Sequence, residues 1–121
     1  QADVVSLHCP LTEQTRHLIG ERELQMMKPQ AVLINCGRGG LVDEFALIAA
    51  LKYGTLGGAG FDVLSEEPPV NGNPLLKTRL PHLIVTPHIA WGSIEAQNKL
   101  FDILNDNIRA FMAGQAQNVV V

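Results

Sequence analysis

The chain has 121 residues, a hydrophobic fraction of 46% and a formal net charge of -3, enough for one domain that buries roughly two-thirds of its unfolded surface. Lys and Arg number 9 against 12 Asp and Glu and form no basic run able to neutralise successive phosphates, so no nucleic-acid partner is expected. No apolar run approaches the roughly 20 residues of a membrane helix and Gln1-Ala2-Asp3 opens no signal peptide, so the expectation is a cytoplasmic protein with no membrane partner.

Four short apolar runs bounded by turn residues, Val4–Leu7, Ala31–Ile34, Gly58–Phe61 and Leu83–Val85, read as strands buried on both faces. Between the first two, Glu21–Lys28 reads as a short helix closed by Pro29, with Leu24 and Met27 on one side and Met26-Met27 as core filler. Asp43 is expected to cap a second helix whose Leu47, Ala50 and Leu51 share a face and which Gly54 stops. Alternation of strand and helix is the pattern of parallel pairing through crossovers, so an α/β sheet layered with helices follows. In "DVLSEEPPVNGNPLLKTRLPH", Pro68, Pro69, Pro74 and Pro81 argue against any regular helix or central strand, leaving a long, ordered, wrapped loop. Ser93 then caps the longest helix, which runs roughly 30 Å to Ala113 with Ala96, Leu100, Ile103, Leu104, Ile108 and Phe111 as one stripe before Gly114. Its length predicts contact with something outside this chain. Cys9 and Cys36 show no metal-ligand spacing; they read as reduced thiols, each a small buried apolar residue, and no metal site is expected.

In an open parallel sheet, ligands bind beyond the carboxyl ends of the strands. The residues there are His8-Cys9-Pro10, Gly37-Arg38-Gly39-Gly40, Asp62 followed by Glu66-Glu67, and Pro87-His88. Glycines beside Arg38 would let a ligand approach the main chain, and a guanidinium offers paired donors suited to a carboxylate. The competing reading is a surface pair between Arg38 and Asp43 or Glu44. A phosphate-cradling G-x-G-x-x-G is absent, since Val42 stands where the third glycine would fall. Near pH 7 the imidazole of His88 can both give and take a proton, and a carboxylate neighbour would fix its tautomer; Asp62, Glu66 and Glu67 are the candidates. His17 and His82 read as ordinary loop residues, and Asp62 reads alternatively as a turn cap.

Taken together, "ADVVSLHCPLTEQTRHLIG", "LINCGRGGLVDE", "GFDVLSEEPP" and "IVTPHIAWGSIEAQ" resemble four successive signatures of the NAD-dependent D-2-hydroxyacid dehydrogenases, and the resemblance runs from Ala2 to Asn118-Val119-Val120. The "HIAW" stretch is similar to the glycerate dehydrogenase and hydroxypyruvate reductase branch. What the resemblance implies is an α/β fold, the C-terminal part of a Rossmann-like doubly wound parallel sheet with a long C-terminal helix. Residues 1–92 would carry its later strands, and residues 93–121 a helix and tail returning toward a substrate domain. It implies NAD or NADP as cofactor and a 2-keto or 2-hydroxy acid, such as hydroxypyruvate or glyoxylate, as substrate. Arg38 would hold the substrate carboxylate and carbonyl oxygen, with Glu67 and His88 as acid-base dyad. Cys9, Pro10, Cys36, Gly37, Arg38, Asp62 and the stretch from His88 through Ala90 to Trp91 would line the dinucleotide.

In such enzymes the glycine-rich fingerprint and a substrate domain precede the stretch that Ala2 opens. The chain is therefore expected to be a C-terminal portion, inactive alone, that forms a homodimer through the edge of its first strand or associates with the missing N-terminal part. Two alternatives stand beside this: a nucleotide-dependent binding module, as in corepressors that share the fold, and an inactive, self-associating truncation.

Overall fold

A computed structural model describes residues 2–120. Gln1 and Val121, the outer ends of the two expected parts, lie outside the described residues. The chain divides into two compact units, one ending at His88 and the other beginning at Ile89.

The first unit is built on four parallel strands, β1 (Val4–Leu7), β2 (Val32–Asn35), β3 (Gly58–Phe61) and β4 (Leu83–Val85), adjacent in that order. The register sets Leu7 beside Asn35, Asn35 beside Phe61 and Phe61 beside Val85, so all four carboxyl ends meet one edge. Parallel strands require crossovers, and these contain α1 (Glu21–Gln25), α2 (Glu44–Tyr53) and α3 (Pro74–Lys77). Strand β2 lies one residue later than the apolar run suggested: the Ala31 amide closes a turn onto the Lys28 carbonyl, and Asn35 completes the strand.

Helix α1 is shorter than expected. Its last turn tightens where the Met26 amide reaches both the Arg22 and Glu23 carbonyls, and Lys28 precedes Pro29, which disfavours helical backbone. Leu24 is buried and Met27 packs on the core, but Met26 is 71% exposed and is not core filler. In α2, Asp43 Oδ1 accepts from the amides of Phe45 and Ala46 at 3.0 and 3.1 Å, and Gly54 ends the helix at φ 71. Leu47, Ala50 and Leu51 are all buried, each Leu stabilising the unit by about 1.5–3 kcal/mol. The connection after β3 is not free of helix. Pro74 starts the one-turn α3 because proline fits the first helical position, and Asn73 Oδ1 caps the Leu75 amide at 2.8 Å.

A single core joins Leu24, Leu47, Leu51 and Leu75 from the helices to Leu7, Leu33, Ala59 and Phe61 on one face of the sheet. The other face, carrying Val4, Ser6, Ile34, Gly60 and Ile84, is not buried; Val4 is 59% and Ile84 66% exposed. The expectation of strands buried on both faces therefore fails at β1 and β4, because one layer of helices meets one side of the sheet.

In the second unit, α4 (Ile94–Met112) is capped where Ser93 Oγ accepts from the Ala96 amide at 3.1 Å, and Gly114 follows at φ 70. No residue of α4 is buried. Leu100, Leu104, Ile108 and Phe111 stand exposed along the expected stripe, and the tail returns to the helix through a 2.9 Å bond from Asn118 Nδ2 to Asn107 Oδ1.

Candidate active site

The turn after β2 is shaped by Asn35, a side chain with no exposed surface. Its Nδ2 donates to the Arg38 carbonyl at 2.9 Å and its Oδ1 accepts from the Gly37 amide at 3.1 Å. A buried amide with both ends satisfied fixes the loop that carries the charge. Arg38 itself is exposed, its Nη1 donating to the Gly37 carbonyl at 2.8 Å. Asp43 caps α2 and Glu44 is bonded to Ser65 and Asn73, so neither forms the surface pair with Arg38 that composition allowed.

The glycines beside Arg38 serve the protein's own packing more than a ligand's approach. A Cβ on Gly39 would stand 1.9 Å from the carbonyl carbon and oxygen of Leu64, and one on Gly40 3.1 Å from Leu11. Gly37 does line an opening: with His8, Cys9, Pro10, Leu11, Cys36 and Arg38 it borders a cavity of about 690 Å³ at the ends of β1 and β2. Cys9 is half-buried there and Cys36 exposed, which corrects the expectation of two buried apolar residues: the interior position falls to Asn35, and Cys36 is the first residue past the strand.

At the other two strand ends, three acids were open as partners for His88, and the fold brings Glu67 to it. His88 Nδ1 lies 2.6 Å from Glu67 Oε2, while Glu67 Oε1 accepts from the Leu64 amide at 2.6 Å. Glu66 instead meets Asn71. Burial pushes the Glu67 pKa up, but the bonds from Leu64 and His88 and the His88 charge outweigh it, against a further upward push from Asp62; the carboxyl titrates below the ordinary glutamate value. His88 sits at φ 56, a left-handed backbone costing about 1–2 kcal/mol, with its amide bonded to the Thr86 carbonyl at 3.0 Å around Pro87. Asp62 is buried and accepts from Thr86 Oγ1 at 2.5 Å, tying the end of β3 to the end of β4. Beside the dyad, Leu64, Pro68, Pro69, Leu76, Val85 and Pro87 border a mainly apolar cavity of about 330 Å³. Ala90 and Trp91 belong to the second unit, ahead of α4, in a turn closed by the Gly92 amide on the Ile89 carbonyl; Trp91 is 57% exposed.

Sequence reasoning assigned no site role to Asn35, Glu44, Asn73 or Thr86, Glu44 being weighed only as a surface partner of Arg38. The first three are buried, and their only sequence signal was polarity next to a strand end or cap. Among the described residues no three His, Cys, Asp or Glu gather in a manner fit for a metal. The walls suit part of a nicotinamide nucleotide: Pro10, Leu11 and Gly37 supply apolar or small surface beside the polar groups of His8 and Arg38. A glycine-rich pyrophosphate cradle is not among the residues of the chain.

Residues 1–90 match the family described as D-isomer specific 2-hydroxyacid dehydrogenase, NAD binding domain. The chain is 59% identical over 120 residues to a glycerate dehydrogenase of Methylorubrum extorquens, covering 99% of this chain and 38% of that protein. It is 46% identical over 115 residues to a glyoxylate reductase of Thermococcus litoralis, covering 95% of this chain and 34% of the other. Among solved structures it resembles an acyclic imino acid reductase in complex with NADPH and D-Arg, with a TM-score of 0.85 and 39% identity over 99% of this chain and 38% of that one. The chain thus spans well under half the length of each of these relatives.

Proposed function

Because the chain belongs to the D-isomer specific 2-hydroxyacid dehydrogenase family through its NAD binding domain, we propose that it carries the dyad and part of the nucleotide site of an oxidoreductase acting on a 2-keto acid or D-2-hydroxy acid of the hydroxypyruvate or glyoxylate kind. The observation that carries this reading is the 2.6 Å pair between Glu67 Oε2 and His88 Nδ1, set on the same sheet edge as Arg38. The names of the glycerate dehydrogenase and glyoxylate reductase relatives support the substrate class.

The nicotinamide nucleotide, when bound, supplies or accepts the hydride. The residues of this chain supply position, polarisation and one proton. Arg38 pairs its planar donors with the substrate carboxylate and the neighbouring carbonyl oxygen, stabilising negative charge as it develops there. An ionised Glu67 can only accept, so Nδ1–H of His88 is directed at it and Nε2 becomes the nitrogen that exchanges a proton. In the reducing direction Nε2–H protonates the oxygen at C2 as hydride reaches the carbon; in the oxidising direction the neutral imidazole removes that proton. Cys9, Pro10, Cys36, Gly37 and Asp62 are assigned to the nucleotide side of the site. In the same reading, the open face of the sheet and the edge of β1 are covered by the rest of a full-length protein or by a second copy.

The test is turnover by the full-length protein carrying this chain, with NADH or NADPH and hydroxypyruvate or glyoxylate, followed by nicotinamide absorbance. His88→Ala is expected to lower kcat by about 10²–10⁴-fold. A flat wild-type trace with both substrates and both nucleotides contradicts the proposal. Tight nucleotide binding alongside that flat trace favours the binding module instead.

A further inference from the structure

The turn bearing Arg38 and the connection bearing Glu67 are separate stretches of chain, and two contacts set the distance between them. One is steric: the main chain of Gly39 lies so close to the peptide between Leu64 and Ser65 that a Cβ would fall 2.4 Å from the Ser65 nitrogen. The other is polar. Glu44, the first residue of α2, is 6% exposed, and its carboxylate accepts from the Ser65 amide at 2.7 Å, from Ser65 Oγ at 2.9 Å and from Asn73 Nδ2 at 2.7 Å. Asn73, itself 2% exposed, turns its other atom to the cap of α3. A buried carboxylate with three donors at a helix start is well compensated, and losing it would strand those donors.

The peptide that Glu44 holds adjoins, through the Leu64 Cα, the one whose amide governs Glu67. Leu64 donates its amide to Glu67 Oε1, and Glu67 Oε2 meets His88. A series of short bonds therefore runs from Glu44 to Ser65, through one peptide to Leu64, then to Glu67 and His88. Glu44 and Arg38 share the stretch after β2, so the carboxylate ties the dyad to the frame in which Arg38 stands.

We propose that Glu44 is a positioning residue for the reaction: by clamping the Leu64–Ser65 peptide to the start of α2, it sets where Glu67 holds His88 relative to Arg38. This rests on the function proposed above. Glu44→Gln keeps the volume but offers one acceptor where two are needed, placing an amide donor against Ser65 or Asn73.

In the full-length protein, Glu44→Gln is expected to lower the single-turnover rate by about tenfold to a hundredfold, as for an ångström-scale misplacement. KM for the keto acid should stay within about twofold, since Arg38 lies on the Glu44 side of the clamp. In a Glu67→Gln background the same change should cost less than about twofold, because its effect is transmitted through Glu67. An unchanged rate overturns the inference, and so does a loss that adds in full to that of Glu67→Gln. Where Glu44→Gln does not fold, Ser65→Ala removes the Oγ bonds to Glu44 and Asn73, keeps the Ser65 amide bond, and is expected to show a smaller, equally non-additive loss; a wild-type rate there overturns it too. The His88 Nδ1 proton, followed by NMR, should shift or exchange faster in either variant, and an unmoved resonance sinks the inference whatever the turnover assay gives. A wild-type protein without turnover would remove the proposed function and leave that resonance to decide the clamp.

Discussion

A carboxylate whose two oxygens are both engaged cannot turn without losing a bond, and Glu67 is in that position between the Leu64 amide and His88. The lowered Glu67 pKa follows from those partners overcoming the cost of burial. The sign of the linkage is fixed by that direction. Folding favours the ionised form, so the contribution is fully present above the ordinary glutamate value and is lost as pH falls through the lowered one. Comparing thermal midpoints of wild type and Glu67→Gln from about pH 7 to about pH 3 should show a difference that shrinks across the acid end of that range; a difference constant with pH would contradict it. In the sequence, Glu67 was one of three acids near His88; linear spacing does not separate it from Glu66, and the family resemblance alone singled it out. The chain's path decides: the bend at residues 65–68 turns Glu67 to the Leu64 amide and His88, and Asn71 takes Glu66. Glu44 was weighed only as a surface partner of Arg38. Its burial depends on Ser65 and Asn73, which lie 21 and 29 residues further on, a distance that local pattern does not reach.

At the level of elements, the caps of α2 and α4 could be read in advance because Asp43, Gly54 and Ser93 act on backbone groups within a turn of themselves. The early end of α1 and the single turn of α3 could not, since each is settled by a competition among weak local bonds that tertiary packing decides. The 3₁₀ turn Gly39–Leu41 was also unread. Glycine there looked like space for a ligand, and it is space for the Leu64 peptide. Gly39→Ala must push that peptide aside, so the expected cost is about 1–3 kcal/mol, the range of an overpacked interior site. A denaturant midpoint lowered with an unchanged slope would bear this out. A midpoint equal to that of wild type would mean that the two connections are not pressed together.

On the scale of the whole molecule, the alternation of strands and helices was enough to give a parallel sheet with its carboxyl ends on one edge, and the four strands are found within a residue of their apolar runs. What the runs did not disclose is that the helices of the first unit cover one face only. An apolar run reports the burial a strand requires, not which part of a protein supplies the cover. The exposed stripe of α4 carries the same lesson, since amphipathic spacing is legible while its partner is not. Under the proposed function, Arg38, Glu67 and His88 act on one reacting carbon. The most direct measurement is a crystal structure of the full-length protein with NAD(H) and oxamate, an unreactive mimic of a 2-keto acid. The oxamate carboxylate is expected on the Arg38 guanidinium and its carbonyl oxygen within hydrogen-bond reach of His88 Nε2, with Glu67 still on Nδ1 and the open sheet face covered. Oxamate bound away from both Arg38 and His88, with nucleotide in place, would contradict it.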